Sequence, residues 1–361
     1  MSQVLRYPCG QCGAKLEFSP GTTVLKCPYC GHETPITSDT EAVKELDIQL
    51  FLDRANLDAT LEIDHAVHCN NCAAEFTLSA TQEATKCPFC GSDVVVPTTS
   101  QNRIPPNGVL PFAIDANGSR KKYKEWVMSR FWAPNDLKKL ALAHNSLIGV
   151  YIPYWTYDSN TTTQYSGMRG EHYYETESYN DSDGNSQTRQ VQRTAWYPAS
   201  GIVDVSFDDI IVLGSTHLPQ MYAQAMTSWE LANVVGYTPE FLSGFQAMRY
   251  DLDLANCWNT AQGMMQPRID QTIRMDIGGD EQQISSKSTE YFDITFKHLL
   301  LPIWSGAYMY RGKSWRFLVN GQTGEVRGEA PVSVWKVAIA VLLGLLIVGG
   351  ILYMYTQSKN R

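Results

Sequence analysis

The longest uninterrupted pattern in the chain is apolar and lies near its C-terminal end. Residues 337–355 carry no charge over 19 positions. At about 1.5 Å per helical residue the run reaches about 28 Å, close to the roughly 30 Å of a bilayer's hydrocarbon core. Trp335 and Lys336 precede it, and Tyr353, Tyr355, Lys359 and Arg361 close it. Aromatic and basic side chains of this kind suit the membrane interface. A buried core helix would need further chain to cover it, and only six residues follow Tyr355. Residues 335–356 are therefore predicted to form one transmembrane helix, with 357–361 as a tail.

Between 108 and 332 the pattern alternates between helical and strand periods, which predicts a mixed α+β domain. Helices are predicted over 119–132 and over 134–144, where Pro134 suits a first helical position. Residues 149–157 (GVYIPYWTY) read as a strand. Residues 161–179 and 187–197 flank Asp181-Ser-Asp-Gly-Asn185, a hairpin signal, and 202–213 continue as strand. Thr238-Pro239 opens a helical region. Residues 254–277 carry the clearest 3.6-residue period, with an interruption expected at Pro267. Strands return over 294–331, with turns at 311–313 and 320–324.

The first hundred residues are organised by cysteine rather than by hydrophobic period. Nine cysteines occur in the 361 residues, and eight lie before position 91. They form a repeat with a constant shift of 60: Cys9/Cys69, Cys12/Cys72, Cys27/Cys87 and Cys30/Cys90. Ala14/Ala74, Lys26/Lys86, Pro28/Pro88 and Gly31/Gly91 keep the same register. Each half reads C-x2-C-x14-C-x2-C, two knuckles joined by enough chain for a hairpin. Four thiolates satisfy a tetrahedral Zn²⁺ and leave no open position, so two structural zinc ions are expected. Zinc ribbons are thus predicted at 1–36 and 66–97. An acidic linker with a short helix separates them at 37–65, and a polar linker follows at 98–107. Glycine after the second cysteine of a knuckle (Gly13, Gly31, Gly91) accommodates the sharp turn, and Ala73 departs from that pattern. His32, His65 and His68 neighbour these cysteines but are not needed as ligands. Thiolates need a reducing compartment, and no secretory signal precedes Cys9. The expected topology is a single pass through the cell membrane with the bulk of the chain facing the cytoplasm.

Charge narrows the partners. The chain carries a net −8, and residues 1–100 hold six Lys or Arg against thirteen Asp or Glu. A phosphate backbone needs cationic contacts, so this composition opposes nucleic-acid binding and favours protein docking by the ribbons. Residues 337–355 supply a bilayer contact. Ala340 and Gly344 form one small-xxx-small pair that would permit close helix packing in a homo-oligomer, although single pairs are common in apolar runs.

A catalytic motif is harder to find. Residues 307–314 match a relaxed phosphate-loop pattern, but Trp315-Arg-Phe-Leu-Val319 follows as a strand where that loop needs a helix, so a hairpin turn is the better reading. Residues 181–185 lack the glycine of a calcium loop. Asp208 and Asp209 are adjacent carboxylates at a strand end. Cys257 reads as core. His144, His172, His217 and His298 share no ligand spacing. The chain is read as non-enzymatic, with no catalytic residue and no organic cofactor.

Several segments together resemble a bacterial family of membrane-anchored double-zinc-ribbon proteins, with ribbons of the transcription-factor-B type. They are Cys27-Pro-Tyr-Cys-Gly31, Cys87-Pro-Phe-Cys-Gly91, Val109-Leu-Pro-Phe112, Gly149-Val-Tyr-Ile-Pro-Tyr-Trp155, Phe296-Lys-His-Leu-Leu-Leu-Pro-Ile-Trp304, Val319-Asn-Gly-Gln-Thr-Gly324 and the terminal anchor. The family is associated with phage-shock-type membrane-stress proteins and flotillin-like proteins. The resemblance implies an adaptor or scaffold that brings such partners to the membrane. It identifies no catalytic residue. The alternative is a membrane-tethered nucleic-acid-binding ribbon protein, in keeping with the helicase or transcription labels such ribbons attract. A helicase would need two helicase cores, for which the chain has neither a valid phosphate loop nor room.

Overall fold

The computed structural model describes residues 7–37, 43–52, 62–64, 67–69, 74–77, 85–87, 92–94, 101–137, 147–180, 185–218, 226, 228–311 and 313–359. Its backbone is organised on helix α1 (Ala116–Ser129), strands β1 (Ile148–Asn180) and β2 (Ser186–Leu213), helix α2 (Leu254–Ile277), strands β3 (Glu281–Tyr310) and β4 (Lys313–Asn320), and helix α3 (Val334–Lys359).

The strand expected at 149–157 and the hairpin arm expected at 161–179 are one continuous strand, β1. It lies between β2 and β3, antiparallel to both. Its burial records three surroundings in turn. Every residue from Gly149 to Tyr157 is buried, because layers cover both sheet faces there. From Thr161 to Tyr165 burial alternates, with Thr161, Thr163 and Tyr165 inward and Gln164 outward. Beyond Gly170 the side chains are mostly exposed. The sequence tracks the first and last of these, as a continuous apolar run and as polar and aromatic residues on both faces, whereas Thr161-Thr-Thr-Gln-Tyr165 carries no apolar alternation. β3 stops pairing at Glu281↔Gly170, whereas β2 continues to Asn180↔Ser186. The last ten residues of β1 and their β2 partners therefore form a two-stranded arm about 33 Å long. Residues 181–184, the expected turn, lie outside the described residues.

α2 covers the inward face of the long strands. Leu254, Cys257, Ala261, Met265, Ile269, Ile273 and Ile277 repeat at three- and four-residue spacing and are all buried. Asp253 caps it by accepting from the Asn256 N–H at 2.8 Å, and Gly278 ends it at φ 65°. Contrary to the expected interruption, the helix runs through Pro267. Pro267 is exposed, and the carbonyl left without a donor belongs to Gly263, also exposed. That carbonyl is therefore open to solvent, while the buried stripe holds the helix on both sides.

α1 begins three residues before the expected start, because Asp115 accepts from the Gly118 N–H at 2.7 Å and sets the cap there. It ends at Ser129, so Phe131 and Trp132 leave the helix that was expected to contain them. Of the helix expected over 134–144, residues 135–137 are helical and 138–144 lie outside the described residues. Thr238-Pro239 opens only a short 3-10 helix, Pro239–Leu242. β3 and β4 pair up to Tyr310↔Lys313, the hairpin expected in place of a phosphate loop.

Segments before residue 108 also enter the sheet. Leu46–Asp47 pairs with Thr295 and Phe296 of β3. Glu75–Thr77 pairs with Gln246–Met248, which in turn pairs in parallel with β1. Gln101–Arg103, in the expected linker, pairs with Glu62–Asp64 in a separate two-stranded sheet. Helix α3 is long and apolar enough to cross a membrane, and its apolar stretch is not covered by any of the described residues.

Candidate metal centre

Three short strands, Glu17–Phe18, Val24–Lys26 and Glu33–Pro35, form an antiparallel sheet that carries two knuckles. In the first, the Cys9 N–H donates to Ala14 O (2.6 Å) and the Gly13 N–H to Cys9 O (2.9 Å). In the second, the Cys27 N–H donates to His32 O (2.8 Å) and the Gly31 N–H to Cys27 O (3.0 Å). Gly13 and Gly31 sit at φ 72° and 76°, the left-handed region where a side chain would strain the turn.

The hairpin brings the knuckles face to face. Cys9 Sγ lies 3.5 Å from Cys30 Sγ, and Cys12 Sγ 3.5 Å from Cys27 Sγ. All four sulfurs lie within 4.8 Å of one another. An ion at about 2.3 Å from each of four sulfurs sets them about 3.8 Å apart in a tetrahedron. The quartet thus needs only small shifts to hold a metal. Cys9 and Cys27 are buried, while Cys12 and Cys30 face solvent, which leaves a path for an ion to enter.

Backbone hydrogen bonds prepare the sulfurs for ligation. The Cys30 N–H holds the Cys27 thiol down at about 6, against the opposing effect of burial, and the Cys12 N–H lowers Cys9. Cys30 is pushed up to about 12 despite the His32 N–H, by burial and by sharing protons with the other three sulfurs. The metal-free cluster therefore holds protons that a bound cation would displace.

In the second repeat, Cys69 and Cys87 are buried, and Cys72 and Cys90 lie outside the described residues. The Cys69 N–H donates to Ala74 O (2.9 Å) and the Cys87 N–H to Ser92 O (2.7 Å). These match the Cys9–Ala14 and Cys27–His32 bonds of the first repeat, residue for residue. His65 lies outside the described residues, and His32 serves the first site through its main-chain carbonyl.

Both repeats rest on the α+β domain. Ser243 Oγ donates to Leu16 O (2.7 Å), and the Phe18 N–H donates to Ser243 O (2.9 Å). The Phe18 ring meets Phe241 edge-on at 5.2 Å and lies 6.1 Å from Phe245. In the second repeat the Arg249 N–H donates to Glu75 O (3.1 Å).

The other candidate residues do not converge. His172 pairs with Glu281 (2.8 Å), His217 lies 3.8 Å from Asp251, and His298 is buried in the sheet; His144 lies outside the described residues. Cys257 lies on the buried face of α2, and burial, helped by Asp253 and Asp251, pushes its thiol up to about 12, which makes it a poor nucleophile. Glu45, Asp158 and Asp208 bring carboxylate oxygens within 4.8 Å of one another. The ammonium of Lys297 lies among this group, 3.1 Å from Glu45, 3.7 Å from Asp158 and 2.8 Å from Asp209. Burial, with Glu45 and Asp209 adding to it, lifts Asp158 to about 6 even against Lys297. The cluster thus already has its cation, and its contacts tie the strand at Leu46–Asp47 to β3. This cluster was not legible in the sequence, because its members are drawn from four distant segments.

Fold and site together define a sheet-rich protein with a cysteine quartet near its N-terminus and one long apolar helix near its C-terminus. Over 340 residues, 93% of the chain and 92% of the relative, it is 24% identical to Uncharacterized protein YdjG of Bacillus subtilis (strain 168). No family model and no solved structure matches the chain.

Proposed function

We propose that this protein is a membrane-anchored zinc-ribbon adaptor that recruits cytosolic protein partners, of the flotillin-like and phage-shock-type classes, without catalysis of its own. The observation that carries the reading is the closed cysteine quartet on a domain that also bears the apolar helix. Four sulfurs around one point leave a metal no open position for substrate, so the ion's role is to hold a docking surface in shape. By the 60-residue repeat, Cys69, Cys72, Cys87 and Cys90 hold a second zinc ion in the same way. Residues 337–355 anchor the assembly, with the thiolates on the reducing, cytoplasmic side.

The long sheet supports the adaptor reading in a second way. β3 runs from Tyr310, near the start of α3, to Glu281, where the two-stranded arm departs. The arm lies at the opposite end of the sheet from the anchor. It exposes Tyr173, Tyr174 and Tyr179, with Trp196 and Tyr197 at its base. Tyrosine and tryptophan of this kind are enriched where proteins meet.

The test is affinity capture from solubilised membranes with wild type, Cys9→Ser/Cys12→Ser, and Tyr173→Ser/Tyr174→Ser. Loss of flotillin-like or phage-shock-type partners from the variants is expected. An unchanged partner set after zinc loss would remove docking by the ribbons. Steeply salt-dependent DNA or RNA binding would replace the adaptor with a tethered nucleic-acid factor.

A further inference from the structure

We infer that the face of the α+β domain around Phe131 and Trp132 lies directly on an anionic bilayer surface, so that the domain is seated on the membrane rather than hung from it. The inference rests on the reading of α3 as a membrane anchor and adds a second contact to it.

The geometry begins at the first turn of α3. The Lys336 ammonium donates to Phe131 O (2.9 Å), Ala133 O (2.8 Å) and Asn135 Oδ1 (3.1 Å). The Ser333 N–H donates to Trp132 O at 2.8 Å. These bonds place Phe131 and Trp132 level with Lys336, one residue before the uncharged run begins at Val337. Only residues 329–333 connect the last sheet strand, Val326–Gly328, to the helix, at most about 18 Å of chain. The domain has no room to float far from the surface that α3 enters.

The side chains at this level are those of an interface. Phe131 is 71% exposed, Trp132 44%, Met128 54% and Trp335 79%. Phe131 and Trp132 have left the end of α1 and lie beside the first turn of the anchor, where water is their alternative to lipid. Tryptophan and phenylalanine at headgroup depth are stabilised there.

Charge agrees with an anionic surface. The chain carries −8, yet residues 120–132 hold five basic side chains and one acidic. Lys121, Lys124 and Met128 fall on one side of α1 by helical spacing, and that side leads to Phe131. Arg130 lies over the Trp126 ring at 4.5 Å, next to Phe131 in sequence. The β3–β4 turn brings Arg311, which lies 3.6 Å from Asp136, and Lys313 to a groove shared with Trp335 and Lys336. A local basic rim around an aromatic patch on an acidic protein fits phosphate headgroups.

The test uses the full chain in lipid nanodiscs. Photoreactive benzoyl-phenylalanine is placed in turn at Phe131, at Leu343 inside the anchor and at Tyr29 on the first ribbon, and lipid adducts are read by mass spectrometry. Adducts are expected at 343 and 131 and not at 29. The yield at 131 should rise several-fold when about a third of the lipid is phosphatidylglycerol rather than phosphatidylcholine. Lys124→Gln/Arg130→Gln/Lys313→Gln should reverse that rise and leave the yield at 343 unchanged. Adducts at 343 with only background at 131 would overturn the seating and leave the anchor standing. Equal yields at 131 in neutral and anionic discs would overturn its anionic character. Absence of adducts at 343 would remove the anchor itself, and the seating with it.

Discussion

The imidazole of His298 lies flat against the indole of Trp155, with ring centroids 4.5 Å apart and planes 24° from parallel. Both residues are buried in the sheet. His298 Nδ1 donates to Ile104 O at 3.0 Å, and its Nε2 has no hydrogen-bond partner among the described residues. Burial lowers its pKa to about 4, against the pull of the Pro105 and Ile104 backbone. The folded protein therefore keeps the ring neutral, while the unfolded chain protonates it near 6.5.

A pH dependence follows from that difference. Above about 6.5 both states are neutral and the site contributes no slope. As pH falls from 6.5 towards 4, only the unfolded state takes up the proton, so stability declines by roughly 3 kcal/mol across that window. His298→Asn retains a donor near Ile104 O and removes the titration. Melting temperatures between pH 7 and pH 5 should fall less in the variant than in wild type. Equal falls would show that the imidazole titrates alike in both states.

Zinc content should report the two repeats separately. Intact protein is expected to hold two zinc ions per chain by elemental analysis. Cys9→Ser/Cys12→Ser should remove one, and Cys69→Ser/Cys72→Ser the other. Purified protein with none, or with iron in their place, would contradict the ribbon chemistry. Because thiols must lose protons to bind, zinc retention against a fixed chelator should also weaken as pH is lowered.

Phe18 couples the first cysteine repeat to the domain through its contacts with Phe241 and Phe245. Phe18→Ala empties a buried aromatic position at an expected cost of about 3–5 kcal/mol. The cysteine ligands are untouched, so zinc should still bind but be lost to chelator sooner. Limited proteolysis should then release the ribbon before the sheet is cut. Unchanged proteolysis would mean that the interface does not depend on this ring.

Pro267 offers a test with the opposite sign. Its ring faces solvent and costs the helix one hydrogen bond, whereas the neighbouring Met265 and Ile269 are buried. Pro267→Ala should restore the bond and raise stability by about 1–3 kcal/mol, less the entropy that proline removes from the unfolded chain. A lowered melting temperature would show that the local helix geometry has adapted to the ring.

Helix α2 illustrates what was legible beforehand and what was not. Its period was plain in the sequence because a helix facing one sheet repeats its apolar residues every three or four positions. Its passage through Pro267 was hidden, because whether a broken backbone bond is tolerated depends on which way that residue faces. The first cysteine quartet was legible for a local reason: each knuckle closes within six residues, and a hairpin of fourteen brings the pair together. Lys297 with its carboxylates was not, because those groups meet only after strand pairing.

By itself the sequence determined the local and the periodic. The spacing of Cys9, Cys12, Cys27 and Cys30 decided which sulfurs meet, and the uncharged run at 337–355 decided which stretch of helix the described residues leave uncovered. Tertiary structure alone decided the non-local. It joined Leu46–Asp47 and Glu75–Thr77 to the large sheet, laid Trp155 on His298, and brought Phe131 and Trp132 to the foot of α3. The reason is the range of the forces. Turn geometry and helical period act over a few residues and leave a mark in the sequence. Strand pairing and ring stacking act between residues that are neighbours only once the chain has folded.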